Sequence, residues 1–385
     1  MSQPDAAWQH RILAIWQRKG LVSTLLLPLS WLYGAVVRLR RRRYECRANT
    51  ISFARPPIVV VGNIVVGGTG KTPTVIALAQ ELRAQGWRPG IVSRGYGVEI
   101  GPEAQVGQGT APAARFGDEP ALIAQATGCP IAVHPKRVLA LQALLREYPG
   151  TDVVIADDGL QHLALPRDLT VIVQDARGLG NGRLLPAGPL REPASRLRDA
   201  HTLITNLTAQ NEAPPVSPAA TIHAAPDGLT GRQARPAAGA DAPDAANTAH
   251  AANAAAPRQV VMRLAPVSLT RLADGQTVTW QAWRDAHAGK PLAAVAAIGQ
   301  PERFFKMLAL HGLTLAQTRA LPDHRALDAA ALQGLRADAV LVTEKDAVKL
   351  PGCRDPRLWS VQVRPVFSDP DWAREISRAL RRAAS

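Results

Sequence analysis

Short apolar runs alternate with segments of helical period over much of the chain. Residues 58–61 read Ile-Val-Val-Val, a run that fits a strand buried on both faces of a parallel sheet. A helical pattern follows over about 72–85, and another apolar run starts at 89–92. Residues 153–156, 169–173 and 201–205 repeat the strand-like pattern. Strands separated by helical stretches predict a parallel sheet with crossover helices over about 57–206. A second alternating set begins later: an apolar run at 292–298, a helix at about 300–309, strands at 339–342 and 359–363, and a closing helix at about 371–382. Between the two sets, residues 208–258 are rich in Ala, Pro, Asn, Asp and Thr and poor in large apolar residues, so no structure is expected there.

The first 47 residues have their own pattern. Residues 20–37 are mostly apolar, are flanked by Arg18 and Lys19, and run into Arg38-Leu39-Arg40-Arg41-Arg42-Arg43. A cleaved signal peptide would want small residues where the arginines stand. A transmembrane helix needs about 20 apolar residues, and Ser23, Pro28, Ser30 and Gly34 interrupt this run. A monotopic anchor fits better, with Trp31 and Tyr33 at headgroup level and the arginines on lipid phosphates. An ordinary core helix with a solvated arginine tail stays open beside it.

Composition adds a charge. The 385 residues carry a net charge of +14, with a pI near 10.6, which favours anionic partners. Aromatic residues are only 4%, too few for the interleaved stacking surface of a nucleic-acid binder, so no nucleic acid is expected. Cys46, Cys129 and Cys353 form no Cys-x-x-Cys pair, which argues against a zinc site or disulfide framework.

The chemistry starts after the first strand. Residues 62–74 read GNIVVGGTGKTPT, between a strand and a helix. Val65, Val66, Gly67, Gly68, Thr69, Gly70, Lys71 and Thr72 are the expected phosphate cradle. Glycines let backbone N–H groups approach phosphate oxygens, and the helix directs its positive end at them. Lys71 is expected on the β- and γ-phosphates and Thr72 on Mg²⁺, with ATP as the nucleotide. The general pattern wants a glycine where Val65 stands. Val66 replaces the lysine of partitioning ATPases, and Thr343-Glu344-Lys345-Asp346 has the wrong order for guanine recognition. A small-substrate or lipid kinase, or an unusual ATPase, is left.

Asp157 and Asp158 end an apolar strand, where a carboxylate can hold Mg²⁺. A helix cap and turn would use the same residues. Asp118 and Glu119 form a second pair, readable as a base for an attacking hydroxyl beside a metal ligand, or as a turn into a helix. Asp323-His324 is a candidate partner for the base. Arg94 follows the second strand in a Gly-rich turn, at the sheet edge where ligands bind, and is a candidate for the substrate. The loop at 180–193 offers Arg183 and Arg191 to phosphate and Glu192 to the metal, or is a surface turn.

Together these segments resemble the tetraacyldisaccharide 4′-kinases of lipid A biosynthesis. The resemblance rests on GN-x3-GGTGKTP at 62–73, SRGYG at 93–97, GDEP at 117–120, DDGLQH at 157–162, NGRLLPAGPLREP at 181–193, PDH at 322–324 and TEKDAVK at 343–349. It implies transfer of the γ-phosphate of ATP to the 4′-hydroxyl of tetraacyldisaccharide 1-phosphate, giving lipid IVA, at the cytoplasmic face of the inner membrane. It also implies Asp118 as catalytic base, His324 as its partner, Lys71 and Thr72 on phosphates and Mg²⁺, and Glu119, Asp157, Asp158 and Glu192 around the metal.

The expected fold is α/β: a P-loop NTPase-type parallel-sheet domain over 48–207 and a smaller C-terminal α/β domain over 259–385. A membrane-associating segment over 1–47 precedes them, and an insertion or linker lies over 208–258. The expected partners are the acylated glucosamine disaccharide lipid and an inner-membrane surface with anionic lipids, bound peripherally or monotopically. A monomer is compatible with all of this. A membrane-bound P-loop ATPase working as a switch is the competing reading.

Overall fold

The computed structural model describes residues 12, 14–45, 55–208, 256–322, 327, 329–350 and 352–384. Residues 209–255 of the expected insertion over 208–258, and the pair Asp323-His324, lie outside the described residues.

The first half is a parallel sheet. Its strands are β1 (Ile58–Gly62), β2 (Pro89–Ser93), β3 (Gln105–Gln108), β4 (Pro130–Val133), β5 (Val153–Asp157), β6 (Leu169–Asp175) and β7 (Thr202–Asn206). Strand β1 lies between β5 and β6 and is parallel to both, and only β3 runs antiparallel, on the outer edge against β4. The four-residue run at 58–61 is apolar throughout because the sheet is covered on both sides. Val59 and Val61 enter one core, and Ile58 and Val60 enter the other.

The second half adds β8 (Arg258–Arg271), β9 (Thr277–Thr279), β10 (Leu292–Ala296), β11 (Leu315–Ala320), β12 (Ala339–Thr343) and β13 (Leu358–Phe367). It does not form a detached sheet. The 14-residue β8 pairs parallel with β7 and antiparallel with β13, so all the strands join one 13-stranded sheet. The sequence pattern contains no sign of this junction, because β8 alternates weakly and directly follows the low-complexity stretch. The helix Trp372–Ala384 then crosses back to the first half. Trp372, Ala373, Ile376 and Leu380 enter the core around the helix Lys71–Ala84, and Trp87 Nε1 donates to Ser377 Oγ at 2.8 Å.

The N-terminal apolar run forms two helices, Leu21–Leu25 and Leu27–Glu45. The second continues through the arginines. Among the described residues no helix is long and apolar enough to cross a membrane. The helices are inside out. Ser23 and Ser30 are buried, whereas Leu21, Leu25, Trp31 and Leu32 are 85%, 79%, 67% and 64% exposed. The polar face is the one that binds the protein. Ser23 Oγ donates to the Ala187 carbonyl at 2.6 Å, Ser30 Oγ to Leu184 at 2.9 Å and Tyr33 Oη to Arg191 at 2.9 Å.

Candidate active site

The sheet's parallel strands end at a cavity of about 780 Å³, the position where open α/β sheets place ligands. The P-loop forms one wall. Gly67 and Gly70 have φ near 104° and 100°, and a Cβ on Gly70 would lie 2.3 Å from Asn206 Nδ2, so this backbone requires glycine. Asn206 Nδ2 donates to the Thr69 carbonyl at 3.0 Å, which ties the loop to the end of β7. Gly67, Gly68, Gly70, Lys71 and Thr72 line the cavity, with Lys71 opening its helix.

The departure at Val65 has a structural reason. Val65 is buried in the core and forms a β-bridge with Leu190, while Val66 N donates to the Pro189 carbonyl at 2.9 Å. Asn63 Nδ2 bonds the carbonyls of Val65 and Gly67 at 2.8 and 3.2 Å. The first part of the loop is thus held by the 181–193 segment and by an asparagine, and a side chain at 65 packs inward.

The carboxylates converge on this wall. Asp157 is buried at the end of β5, where its Oδ2 accepts from Ser93 Oγ at 2.8 Å and its Oδ1 has no partner. Burial, then repulsion from Glu119 and Asp158, push its carboxyl up to about 6. Asp158 has φ 48°, the one positive φ at a non-glycine among the described residues. Burial acts to raise its carboxyl too, but Lys71, Arg191 and Arg137 outweigh it and hold Asp158 below the ordinary range. Lys71 Nζ is 3.6 Å from Asp158 Oδ1, and Arg191 Nη1 is 3.5 Å from Oδ2. Arg137, itself buried, donates to the carbonyls of Asp157 and Asp158 at 3.3 and 3.5 Å. Burial, together with Arg137 and Arg94, lowers the His162 imidazole to about 4, so it is neutral at physiological pH.

Asp118 and Glu119 begin the helix Asp118–Thr127. Glu119 lines the cavity, and its Oε1 lies 3.2 Å from Lys345 Nζ; Asp118 Oδ2 lies 3.4 Å from Lys349 Nζ. Arg94 and Arg191 also line the cavity.

Glu192 and Arg183 stand elsewhere, and Asp118, Val65 and Thr69 are not among the residues that line the cavity. Glu192, expected at the metal, is buried against Arg196 Nε at 2.7 Å and Gln161 Nε2 at 3.0 Å, and both of its oxygens are taken. Its role in this geometry is to hold Gln161, whose Nε2 also reaches the Asn63 carbonyl at 3.0 Å. Arg183, expected at the substrate, donates to Ser23 Oγ at 2.9 Å and Thr24 Oγ1 at 3.1 Å, so it fastens the N-terminal helix. His324 lies outside the described residues.

A divalent cation fits the donor set. The unpartnered Asp157 Oδ1 and the repulsion Asp157 meets from Glu119 and Asp158 are what a cation would relieve. Among the described residues no three metal-ligating side chains already form a cluster. Mg²⁺ is typically held by one or two carboxylates together with phosphate oxygens and water.

Comparison with known proteins identifies the family. The family model described as LpxK, tetraacyldisaccharide-1-P 4′-kinase, matches residues 22–381. The chain belongs to the tetraacyldisaccharide-1-P 4′-kinase family. A tetraacyldisaccharide 4′-kinase of Bordetella parapertussis is 50% identical over 368 residues, covering 95% of each chain. One from Bordetella petrii is 46% identical over 374 residues, covering 96% of this chain and 95% of that one. Among solved structures, a crystal structure of LpxK from Aquifex aeolicus in complex with ATP matches with a TM-score of 0.69 at 24% identity, covering 94% of this chain and 99% of that one. At that identity the likeness speaks for the fold: the curled, mainly parallel sheet is that of this kinase family.

Asparagines 63 and 206 and Arg137 were not visible as site residues from the sequence. Asn63 lies in the quoted 62–73 segment, which does not name its role, and Asn206 and Arg137 lie in none of the motifs; each acts through backbone carbonyls.

One pH dependence follows from Asp157. Its folded-state pKa is raised, so ionisation destabilises the fold; the penalty is absent below about pH 4, grows towards about pH 6 and is complete above it. Asp157→Asn removes that penalty. In ligand-free chemical denaturation, the variant's stability relative to the natural chain is expected to rise across this window by up to about 3 kcal/mol. A difference that stays flat from pH 4 to 8 would contradict the raised pKa.

Proposed function

We propose that this chain is an ATP-dependent kinase that phosphorylates the 4′-hydroxyl of tetraacyldisaccharide 1-phosphate, forming lipid IVA in lipid A biosynthesis. The observation that carries the reading is the placement of Lys71, Asp157, Asp158, Arg191 and Glu119 around one cavity whose wall is a glycine cradle. Family membership and the ATP bound to the Aquifex relative support ATP as donor.

The residues divide the work by position. Backbone N–H groups of 67–71 and the Lys71 ammonium hold the phosphates, and Arg191 shares that charge. The Thr72 hydroxyl, Asp157, Asp158 and Glu119 are the groups that would hold Mg²⁺, directly or through water. When bound, Mg²⁺ supplies charge neutralisation on the phosphates. Asp118 accepts the proton of the 4′-hydroxyl, with His324 as its partner. The hydroxyl oxygen bonds to the γ-phosphorus as the bond from that phosphorus to the β–γ bridging oxygen breaks, and ADP leaves. Arg94 and Arg191 face the cavity for the phosphorylated sugar.

The acceptor is a lipid, and the cavity reaches the helix that carries the exposed leucines, because Tyr33 lines it. This supports peripheral, monotopic binding to the cytoplasmic face of the inner membrane, with the apolar face in the lipid and Arg38, Arg40, Arg42 and Arg43 at anionic headgroups.

The reaction is tested by transfer of labelled γ-phosphate from ATP to purified tetraacyldisaccharide 1-phosphate. Label in the lipid is expected from the natural chain and none from Lys71→Ala. Asp118→Ala is expected to lower transfer about 10²–10⁴-fold with ATP binding intact; near-normal turnover would remove the base from Asp118. The membrane reading is tested by cosedimentation with vesicles containing anionic lipid. Leu25→Asp with Leu32→Asp is expected to stay in the supernatant, and binding equal to the natural chain would contradict the apolar docking face.

A further inference from the structure

The segment 343–349 carries two lysines one helical turn apart, and both meet carboxylates of the opposite half of the molecule. We propose that Lys349 is a positioning residue that holds the Asp118 carboxylate in place for proton transfer, with Lys345 steadying Glu119 beside it. This rests on the reading of Asp118 as the base.

The helix Asp118–Thr127 fixes the backbone of Asp118 but not its side chain. Gly117, with φ 89°, sets the start of the helix, and a Cβ there would lie 2.6 Å from the Tyr96 carbonyl oxygen. The helix terminus favours carboxylates electrostatically without selecting a rotamer. A second contact has to do that, and Lys349 Nζ supplies one at 3.4 Å from Asp118 Oδ2.

A lysine is ordinarily a flexible partner with a four-carbon stem. This one is fixed from behind. Its ammonium lies 3.2 Å from Oδ1 of Asp346, a carboxylate with no exposure to solvent. The other oxygen of Asp346 accepts from the Ala297 backbone N–H at 3.0 Å and from Thr343 Oγ1 at 2.7 Å. Those bonds tie Asp346 to the ends of β10 and β12. The Lys349 side chain is only 8% exposed, so little solvent competes for its donors. The chain of contacts runs from the sheet through Asp346 and Lys349 to Asp118.

Lys349 stands between two carboxylates, Asp118 and Asp346, while Lys345 faces Glu119 alongside. Oδ2 of Asp118 is held by a cation that does not itself line the cavity. Lys349 therefore acts through Asp118, and the C-terminal half contributes to the chemistry by aiming a group of the first half.

The test uses the full chain, saturating ATP and the disaccharide lipid. Lys349→Met is expected to lower kcat about 10- to 100-fold, the scale of a displaced catalytic group, while the KM for ATP stays within twofold. Lys349→Arg is expected to restore most of the loss. On the residual rate of Asp118→Ala, adding Lys349→Met should change nothing further, because the two act as a unit. A kcat within twofold of the natural chain overturns the proposal. So does a loss confined to KM, or an equal fold-loss on the Asp118→Ala background; each would make Lys349 only a brace between the halves. If Lys349→Met does not fold, Lys349→Gln is judged by the same criteria. Full activity of Asp118→Ala alone would instead overturn the assignment of the base, so the two failures are told apart.

Discussion

Carboxylates crowded at the end of a buried parallel sheet are the constraint around which this molecule is arranged. Asp157 is buried there, and the neighbouring charges of Glu119 and Asp158 act against its ionisation. Cations from separate parts of the chain answer them: Lys71 from the P-loop helix, Arg191 from the 181–193 loop, Arg137 from a crossover helix and Lys345 from the second half. Asp157 stays incompletely compensated, with one oxygen unpartnered and its carboxyl raised to about 6. That residue of uncompensated charge is what a Mg–nucleotide complex would complete.

The continuous sheet is what brings these groups together. Because β8 pairs with both β7 and β13, the strand ends of the second half point their following turn, 344–347, at the helix that starts with Asp118. The C-terminal helix then packs on the P-loop helix and fastens the two halves from the other side. On the opposite wall, the two N-terminal helices are bonded through Ser23, Ser30 and Tyr33 to the loop that docks on Val65 and Val66. One loop therefore touches both the exposed apolar helix and the phosphate cradle.

Much of this was legible in the sequence. The apolar run at 58–61 and the glycines after it predict a strand, cradle and helix, and the structure has β1, Gly67, Gly70 and the helix Lys71–Ala84 in that order. The family and its chemistry were carried by motifs whose residues mostly meet in space. What was not legible depends on contacts between distant segments. Glu192 sits in a motif with Arg191, yet it turns to Arg196 four residues on, while Arg191 reaches Asp158. Arg183 looks like a phosphate ligand in sequence, but the buried Ser23 of an apolar helix claims it. The inside-out character of that helix was equally hidden, since hydropathy does not say that the two serines are the inward face.

The central claim is that the bound nucleotide gives its phosphate to a lipid alcohol and not to water. Simultaneous measurement of ADP and phospholipid formed, with the purified chain and tetraacyldisaccharide 1-phosphate in mixed micelles, tests it most directly. The account predicts one phospholipid per ADP, with the new phosphate on the 4′-oxygen and little ADP formed without the lipid. ADP released at the same rate with or without the disaccharide, and no phosphorylated lipid, would contradict it and make the protein a membrane-bound ATPase.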